Sequence, residues 1–372
     1  MIKSFVKQIP YNSKISIFGA GFAGRGLRKY IEENRPDIKI VFFIESHRTG
    51  DENGIPIVNF KDLPENKNKF DLLVCATRNT AHELIGVFNY LDIPFIIISR
   101  EIEQYFRNEK YAEILEKTEK CFKYEEDKEL YKLIGKAHLT KIFNSVAEYA
   151  LKKHDIAPGR LFRNYDKHYM EFINKDAIQT VFDGGFHNGI HSLAFKKHLK
   201  NLKVLYAFEP MYDKFKNEIY DKFIRDAHFC EFVELGLWEK ESELVFAENL
   251  SNPAASKVVE NSEQTALNMN YLKIKTIDID TFKKKNNIQK VDFIKMDIEG
   301  AELPAIRGAK ETIKTDRPQL AISIYHSNDD FVNIPQYLAN ELENYTLRLG
   351  HYSYNHCETV LYAIPDELLQ GV

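Results

Sequence analysis

The sequence predicts an α/β protein in which a mostly parallel sheet forms twice along the chain. Two glycine-rich turns, at residues 19–24 (GAGFAG) and 184–189 (GGFHNG), each follow a short apolar strand and precede a helical stretch. Strands and helices alternate after each turn, as parallel strands require because their crossovers contain a helix. Two late strands, 345–349 and 359–364, are close enough in sequence to pair as an antiparallel hairpin. We therefore expect the last strand of the second sheet to be inserted antiparallel.

Length, composition and charge narrow the class of protein. The 372 residues exceed the size that one core usually serves, so two domains are expected. With 44% hydrophobic and 28% charged residues, the chain is expected to be globular. A net charge of -4 gives it no general affinity for nucleic acid or anionic membranes. No secretory signal or spanning segment is recognisable, which predicts a cytoplasmic protein. The four cysteines form no CxxC pair, so no zinc knuckle or disulfide framework is expected.

The first hundred residues contain a GxGxxG pattern in the context that this motif requires. The strand 14–18 precedes it, a helix follows it, and a second strand, 40–44, ends in Glu45, where a ribose-binding acid would stand. Two more strands, 71–76 and 95–99, complete about four. This number matches one half of a dinucleotide fold, so binding of NAD is not expected.

This region resembles the small Rossmann-like domain attached to many polysaccharide-biosynthesis enzymes, which shares the glycine-rich turn, the acid and a GIPIV segment (54–58). The resemblance implies a pocket for a nucleotide or nucleotide sugar or, equally, a scaffold for dimerisation. The residues of such a pocket would be Gly19, Gly21, Gly24 and Glu45.

The composition changes to lysine, glutamate, tyrosine and leucine with helical spacing after residue 100. Alternating charges are typical of a solvated helical face, which predicts a helical connector. A sharper interpretation is that Tyr165, His168 and Tyr169, just before the second glycine turn, fold over a bound nucleoside as a lid.

Acidic residues end successive strands of the second sheet. Asp183 precedes the glycine turn, Glu209 ends the strand 202–208, and Glu234 follows the strand 229–233. Asp297 follows the strand 291–296, and the fifth strand (320–325) leads into His326. Because the carboxyl ends of parallel strands meet at one edge, the glycine turn and these side chains are predicted to form one nucleoside site.

Seven segments in order resemble FkbM-type S-adenosylmethionine-dependent methyltransferases from about residue 169 to the C-terminus. They are VFDGGFHNGIHSL, YAFEP, LGLWEKESELVF, KTIDIDTF, VDFIKMDIEGAELPAIRGA, PQLAISIYH and LRLGHYSYNHCETVLYA. The resemblance implies a class I methyltransferase fold with a Rossmann-like seven-stranded sheet. It also implies O-methylation of a sugar hydroxyl, such as that of a heptose or hexose, in bacterial surface polysaccharide or capsule synthesis. The N-terminal half-Rossmann region suggests that the sugar is carried on a nucleotide, because a diphosphate could rest on the turn 19–24. We accordingly divide the chain into a small Rossmann-like domain (1–100), a helical connector or lid (101–173) and a methyltransferase domain (174–372).

The resemblance also assigns cofactor roles. Asp183 and the glycines that follow it would hold the methionyl part of S-adenosylmethionine, and Glu209 would accept both ribose hydroxyls. Glu234 and Leu235 would border the adenine. The full set of predicted cofactor-binding residues is Asp183, Gly184, Gly185, His187, Gly189, Glu209, Glu234, Leu235 and Asp297.

Asp297 and His326 are the predicted catalytic residues. A sugar hydroxyl must lose its proton while it attacks the sulfonium methyl, and either side chain could accept that proton. Alternatively, a divalent cation such as magnesium, manganese or iron, held by Asp297, His326 and His351, could lower the hydroxyl pKa. Glu302 is expected to be structural at a helix start, and the role of Glu299 stays open.

Two other functions remain possible from the sequence. A nucleotide-sugar oxidoreductase or epimerase built on the N-terminal domain would bind NAD, although no Tyr-x-x-x-Lys pair follows that domain. A non-catalytic assembly protein could retain the methyltransferase shape. In each case the expected partner is a small sugar or nucleotide sugar and not nucleic acid, and a homo-oligomer is possible.

Overall fold

The computed structural model describes residues 2–76, 87–98, 100–140, 142–154, 167–211, 228–249, 257–259, 269–353 and 357–369. The chain divides into two compact units, Met1–Ile114 and Leu115–Val372. None of the helices in these ranges is long and apolar enough to cross a membrane.

The first unit contains a six-stranded sheet in the order β3-β4-β2-β1-β5-β6. Its elements are α1 (Ile2–Val6), β1 (Lys14–Phe18), α2 (Phe22–Asn34), β2 (Lys39–Glu45), β3 (Gly50–Glu52), β4 (Ile55–Asn59), α3 (Leu63–Asn66), β5 (Leu72–Cys75), β6 (Phe95–Ile97) and α4 (Arg100–Glu119), which continues past the boundary between the units. The four predicted strands are present as β1, β2, β5 and β6.

Two additional strands, β3 and β4, correct the predicted number. They form an antiparallel hairpin whose turn contains Asn53 and Gly54, both with positive φ. Asn-Gly is a strong hairpin signal because both residues tolerate this conformation. The GIPIV segment then continues as β4, which pairs parallel with β2.

The second unit contains a seven-stranded sheet in the order β16-β17-β15-β14-β7-β8-β9. The elements that build it are β7 (Thr180–Gly184), α7 (Ile190–His198), β8 (Val204–Phe208), β9 (Cys230–Val233), α8 (Ile279–Lys285), β14 (Phe293–Met296), α9 (Glu302–Arg307), α10 (Lys310–Asp316), β15 (Gln319–Ser323), α11 (Asn328–Glu341), β16 (Tyr345–His351) and β17 (Thr359–Pro365). Strand β17 runs antiparallel to both of its neighbours, whereas β7, β8, β9, β14 and β15 are parallel. The predicted fold with its inserted last strand is confirmed.

A smaller sheet lies between β9 and β14 in the sequence and was not predicted. It consists of β10 (Gly236–Leu237), β11 (Ser242–Asn249), β12 (Lys257–Val259) and β13 (Met269–Ile277), in the order β10-β13-β11-β12. Its long antiparallel pair, β11 and β13, is separated by 19 residues, so no short turn marks the pairing in the sequence.

Two helices of the predicted connector, α5 (Glu125–Thr140) and α6 (Asn144–His154), are part of the second unit. The buried Asp127 accepts from Arg348 Nε at 2.7 Å and from the backbone nitrogen of Leu349 at 3.0 Å, which fastens α5 to β16. Arg348 also pairs with Glu126. Burial raises the pKa of Asp127, against the effect of the Leu349 amide and the Arg348 charge.

The predicted lid is wrong for the two residues that the structure describes. His168 and Tyr169 are both fully buried, and their rings stack at 4.0 Å between centroids. Tyr169 belongs to the apolar layer that covers one face of the seven-stranded sheet, together with Val181, Phe195 and Phe293. Their burial places both rings in the core, where aromatic side chains stabilise a fold most. Tyr165 lies outside the described residues.

Candidate functional site

The second glycine turn joins the end of β7 to α7 and is in close contact with the end of β14. Gly185 and Gly189 have φ of 76° and 77°, in the left-handed region that favours glycine. A Cβ on Gly185 would overlap the carbonyl oxygen of Asp297. The backbone nitrogen of Asp297 also donates to the Gly184 oxygen at 3.1 Å. The glycines are therefore needed for packing of the turn against the neighbouring strand.

Asp183, the penultimate residue of β7, forms a buried ion pair with a lysine of the neighbouring strand. Lys295 Nζ lies 3.0 Å from Asp183 Oδ1, and Ser192 Oγ donates to Oδ2 at 2.5 Å. The Asp183 and Lys295 side chains are each 1% exposed. From the sequence, Asp183 was expected to pair with the amino group of a cofactor. In the structure its charge partner is the ammonium group of Lys295.

Glu209 follows β8 and is fixed by two backbone amides. Its Oε2 accepts from the His187 nitrogen and its Oε1 from the Met211 nitrogen, both at 3.1 Å. Burial raises the pKa of this carboxyl group, and the two amides act in the opposite direction. Glu209 is thereby held beside the glycine turn, at the position predicted for ribose recognition.

The residues predicted to border an adenine come next along the same edge of the sheet. Glu234 is exposed and Leu235 is half-buried, directly after β9. Since β7, β8 and β9 are adjacent parallel strands, the glycine turn, Glu209 and Glu234 occur in that order along the edge.

Asp297 accepts hydrogen bonds from two tyrosines. Tyr169 Oη donates to its Oδ2 and Tyr325 Oη donates to its Oδ1, each at 2.9 Å. Tyr169 Oη also lies 3.1 Å from Ser323 Oγ. Neither contact with Asp297 was predicted: Tyr169 was assigned to the lid over the nucleoside, and Tyr325 adjoins the predicted His326. No spacing rule in the sequence would have found Tyr169, which is 128 residues from Asp297.

His326 lies among three carboxylates. Its Nδ1 is 3.1 Å from Glu302 Oε1, and its Nε2 is 3.3 Å from Asp297 Oδ1 and 3.6 Å from Glu299 Oε2. Glu302 also accepts from the Ile298 nitrogen at 2.7 Å and is fully buried. The predicted structural role of Glu302 thus coexists with a contact to His326, and we call Asp297, Glu299, Glu302 and His326 the acid–histidine cluster.

The cluster shifts the pKa values of its own members. Burial disfavours charge on both Asp297 and His326, yet their mutual contact outweighs it and holds the pKa of Asp297 well below its ordinary value. The Glu302 and Asp297 carboxylates raise the pKa of His326 well above its ordinary value. Burial, assisted by the neighbouring acids and opposed by His326, raises the pKa of Glu299 to about 7. The cluster is therefore a carboxylate-rich site with one imidazolium at neutral pH.

Three residues of the acid–histidine cluster could hold a metal ion, whereas the predicted ligand His351 lies outside the cluster. Ligand atoms of Asp297, Glu302 and His326 all lie within 4.8 Å of one another. His351 is buried in β16, where its Nδ1 lies 2.8 Å from Thr359 Oγ1. The prediction of His351 as a ligand is corrected, because its strand-paired position gives it a different neighbour.

The first unit contains a similar glycine turn, at residues 19–24, between β1 and α2. A Cβ on Gly24 would overlap the carbonyl oxygen of Gly19, whereas a Cβ on Gly21 would meet no atom of the described residues within 4 Å. Glu45 Oε1 accepts from the Ala20 nitrogen at 2.6 Å, so the predicted ribose-binding acid also supports the turn. The open side of the turn is at Gly21, the N-cap of α2.

Comparison with known proteins supports the interpretation of the second unit. The family model described as the methyltransferase FkbM domain matches residues 183–349. An FkbM methyltransferase structure from Methylobacillus flagellatus KT is similar over 97% of this chain and 92% of its own, with 17% identity and a TM-score of 0.50. A SAM dependent methyltransferase from Aquifex aeolicus matches 58% of this chain and 96% of its own, with 17% identity and a TM-score of 0.32.

No sequence match was found among the curated proteins. The matched family segment begins at Asp183 and includes the glycine turn, Glu209 and the acid–histidine cluster. Residues 183–349 thus match the methyltransferase FkbM domain, and the chain shares its fold with a solved FkbM methyltransferase.

Proposed function

We propose that this chain is an S-adenosylmethionine-dependent methyltransferase that acts on a sugar hydroxyl, and that the sugar, such as a heptose or hexose, is carried on a nucleotide for the assembly of bacterial surface polysaccharide. One observation carries the proposal. The glycine turn expected to hold the cofactor touches the backbone of Asp297, whose side chain belongs to the acid–histidine cluster. A methyl donor and groups able to act on a hydroxyl proton would then meet at one edge of the sheet.

The described residues fit S-adenosylmethionine at this edge. Glu209 is held by two backbone amides, and a carboxylate retains further lone pairs with which to accept from two ribose hydroxyls. At the start of α7, Gly189 has no side chain with which to cap the helix, and the Ile190 nitrogen donates to Asn188 Oδ1 at 3.2 Å. We assign the ribose to Glu209, the adenine to Glu234 and Leu235, and the methionyl part to the turn backbone at 184–189.

The reaction is a displacement in line with the bond from sulfur to the methyl carbon. The cofactor supplies an electrophilic methyl group. The acceptor oxygen forms the new bond to carbon, the carbon–sulfur bond breaks, and its electron pair neutralises the sulfonium. The hydroxyl proton passes to the cluster. The protein must hold the oxygen about 3 Å from the methyl carbon before this happens.

Asp297 and His326 are the residues that we propose act on the hydroxyl, and two routes are open to them. In the first, a member of this pair accepts the proton directly. His326 must lose its own proton before it can do so, and Asp297 is a weak base while two tyrosines donate to it and His326 lies 3.3 Å away. In the second, Asp297, Glu302 and His326 hold a divalent cation, for which His326 must first lose its proton. Such a cation would lower the pKa of a bound hydroxyl.

The first unit is proposed to bind the nucleotide part of a sugar nucleotide, at Gly19, Gly21, Gly24 and Glu45. Within the part of the chain that the structure describes, no atom lies within 4 Å of the Gly21 Cβ position, which supports room for a ligand at the start of α2, where helix amides point outwards. A scaffold role in dimerisation is the alternative. Titration calorimetry with uridine and guanosine diphosphates separates these, since only a binding unit gives a saturable heat.

The central experiment is incubation of the protein with S-adenosylmethionine and a panel of nucleotide sugars, with and without EDTA. We expect mass spectrometry to find one product heavier by a methyl group, and to find its loss in Asp297→Asn. Asp316→Asn is a matched control, because it neutralises another acid of the second unit, which is paired with Lys283 at the opposite end of β15. Loss of product in EDTA supports the cation route.

Three results of that experiment would contradict the proposal. A product methylated on nitrogen or carbon would exclude O-methylation, and full activity of Asp297→Asn would remove Asp297 from the chemistry. Tight binding of NAD without uptake of S-adenosylmethionine would favour an oxidoreductase.

A further inference from the structure

Lys295 is a buried lysine in the centre of an apolar strand. All four residues of β14 are buried, and β14 lies between β7 and β15 in the middle of the sheet. In the parallel register Lys295 pairs with Asp183, so both side chains leave the sheet on the same face. That face is otherwise covered by apolar side chains, among them Val181 and Phe293.

Three oxygen atoms surround the ammonium group of Lys295. Its Nζ donates to the Gly184 oxygen at 2.9 Å and to the Gly185 oxygen at 2.8 Å, and lies 3.0 Å from Asp183 Oδ1. The ring of Tyr169 is 5.3 Å from the same nitrogen. The ammonium group thus uses two of its three protons in hydrogen bonds to the turn, and Asp183 supplies the opposite charge beside it.

Stability alone does not account for a lysine at this position. Desolvating an ion pair costs several kcal/mol per ion, and apolar residues of similar volume often give equal or greater stability. The two carbonyl oxygens, however, belong to the turn that contacts Asp297, and the same turn continues to the His187 amide that holds Glu209. Loss of Lys295 would therefore alter the positions of both Asp297 and Glu209, which the turn contacts.

We propose that Lys295 is a positioning residue for the cofactor: by drawing the Gly184 and Gly185 carbonyls inwards, it sets the turn that receives S-adenosylmethionine. The inference rests on the proposed use of this turn and adds a residue to which no cofactor role was assigned. It also gives Asp183 a different role from the predicted one, since Asp183 acts through Lys295 and not on the methionyl amino group.

The experiment measures binding of two ligands by titration calorimetry. S-adenosylhomocysteine has the amino-acid part, and methylthioadenosine lacks it. We expect Lys295→Met to weaken both ligands at least tenfold, because the displaced turn also moves the amide that fixes Glu209. Lys283→Met is the matched control: it removes another lysine ion pair of the second unit, with Asp316 at 2.6 Å, remote from the turn. It should lower the melting temperature but keep both affinities within twofold of the parent.

Asp183→Asn supplies a second test if Lys295→Met does not fold. The proposal expects both ligands to weaken by similar factors, whereas a direct contact with the amino group would weaken S-adenosylhomocysteine alone and overturn the proposal. Unchanged affinities in a folded Lys295→Met protein would also overturn it, with the cofactor assignment intact. If the parent protein binds neither ligand, the cofactor assignment fails and the proposal fails with it.

Discussion

Replacement of Tyr169 by phenylalanine tests the coupling between the core and the acid–histidine cluster. The hydroxyl group donates to Asp297 Oδ2 at 2.9 Å and lies 3.1 Å from Ser323 Oγ, and the residue is fully buried. A hydrogen bond to a charged group contributes about 1.5 to 3 kcal/mol. For a loss of about 2 kcal/mol, a unit of this size should melt about 4 to 8 °C lower.

Tyr352→Phe is the matched control for this substitution. Tyr352 is also buried, and its hydroxyl also contacts one carboxylate, Glu171, and one hydroxyl, that of Tyr362, each at 2.7 Å. Both variants should lose similar stability in thermal denaturation followed by circular dichroism. Only Tyr169→Phe frees an oxygen of Asp297, so we expect its methyl-transfer rate to fall at least tenfold while Tyr352→Phe stays within twofold.

The comparison of the two rates decides the matter. Equal losses of activity would mean that general destabilisation, and not the orientation of Asp297, determines the rate. An unchanged rate in Tyr169→Phe would show that Asp297 does not need this donor.

Three further substitutions test the turn, the helical region and an ion pair. Gly185→Ala, which sets a Cβ against the Asp297 carbonyl, should fold but lose more than tenfold in affinity for S-adenosylhomocysteine by calorimetry. Arg348→Met should lower the free energy of unfolding by about 3 to 5 kcal/mol in urea denaturation, because the buried Asp127 carboxylate loses its arginine partner. Adding Asp127→Asn should recover part of this loss. A hydrogen bond from Arg317 lowers the pKa of Glu367 from 4.5 to about 2. The Arg317–Glu367 pair therefore stabilises the protein above pH 4.5, and the stabilisation disappears towards pH 2. The difference in melting temperature between Glu367→Gln and the parent should shrink over the same range.

The meeting of Asp297 with His326 could be predicted because both follow parallel strands of one sheet. Neighbouring strands β14 and β15 end at the same edge, so residues immediately after them are close whatever the loops do. Their distance of 3.3 Å agrees with this expectation. His351 could not be placed in this way, because it ends a strand whose partner, β17, runs in the opposite direction.

The roles of the glycines and of Asp183 needed the tertiary structure. A motif shows that a turn lacks side chains, but not whether a ligand or a neighbouring strand occupies the space. Here the Asp297 carbonyl takes the space beside Gly185, and the ammonium of Lys295 takes the place beside Asp183. A lysine within the apolar run VDFIKM was the available signal, since lysine is rarely buried without a partner.

The sequence by itself determined the alternation of strands and helices, the mostly parallel sheet with its inserted last strand and the set of acids at one edge, because these follow from local periodicity and from the rules of parallel connection. Only the tertiary structure decided which charges neutralise each other and which aromatic residues are buried. Partners such as Tyr169 and Asp297 are separated by 128 residues, and their contact depends on how the whole core packs.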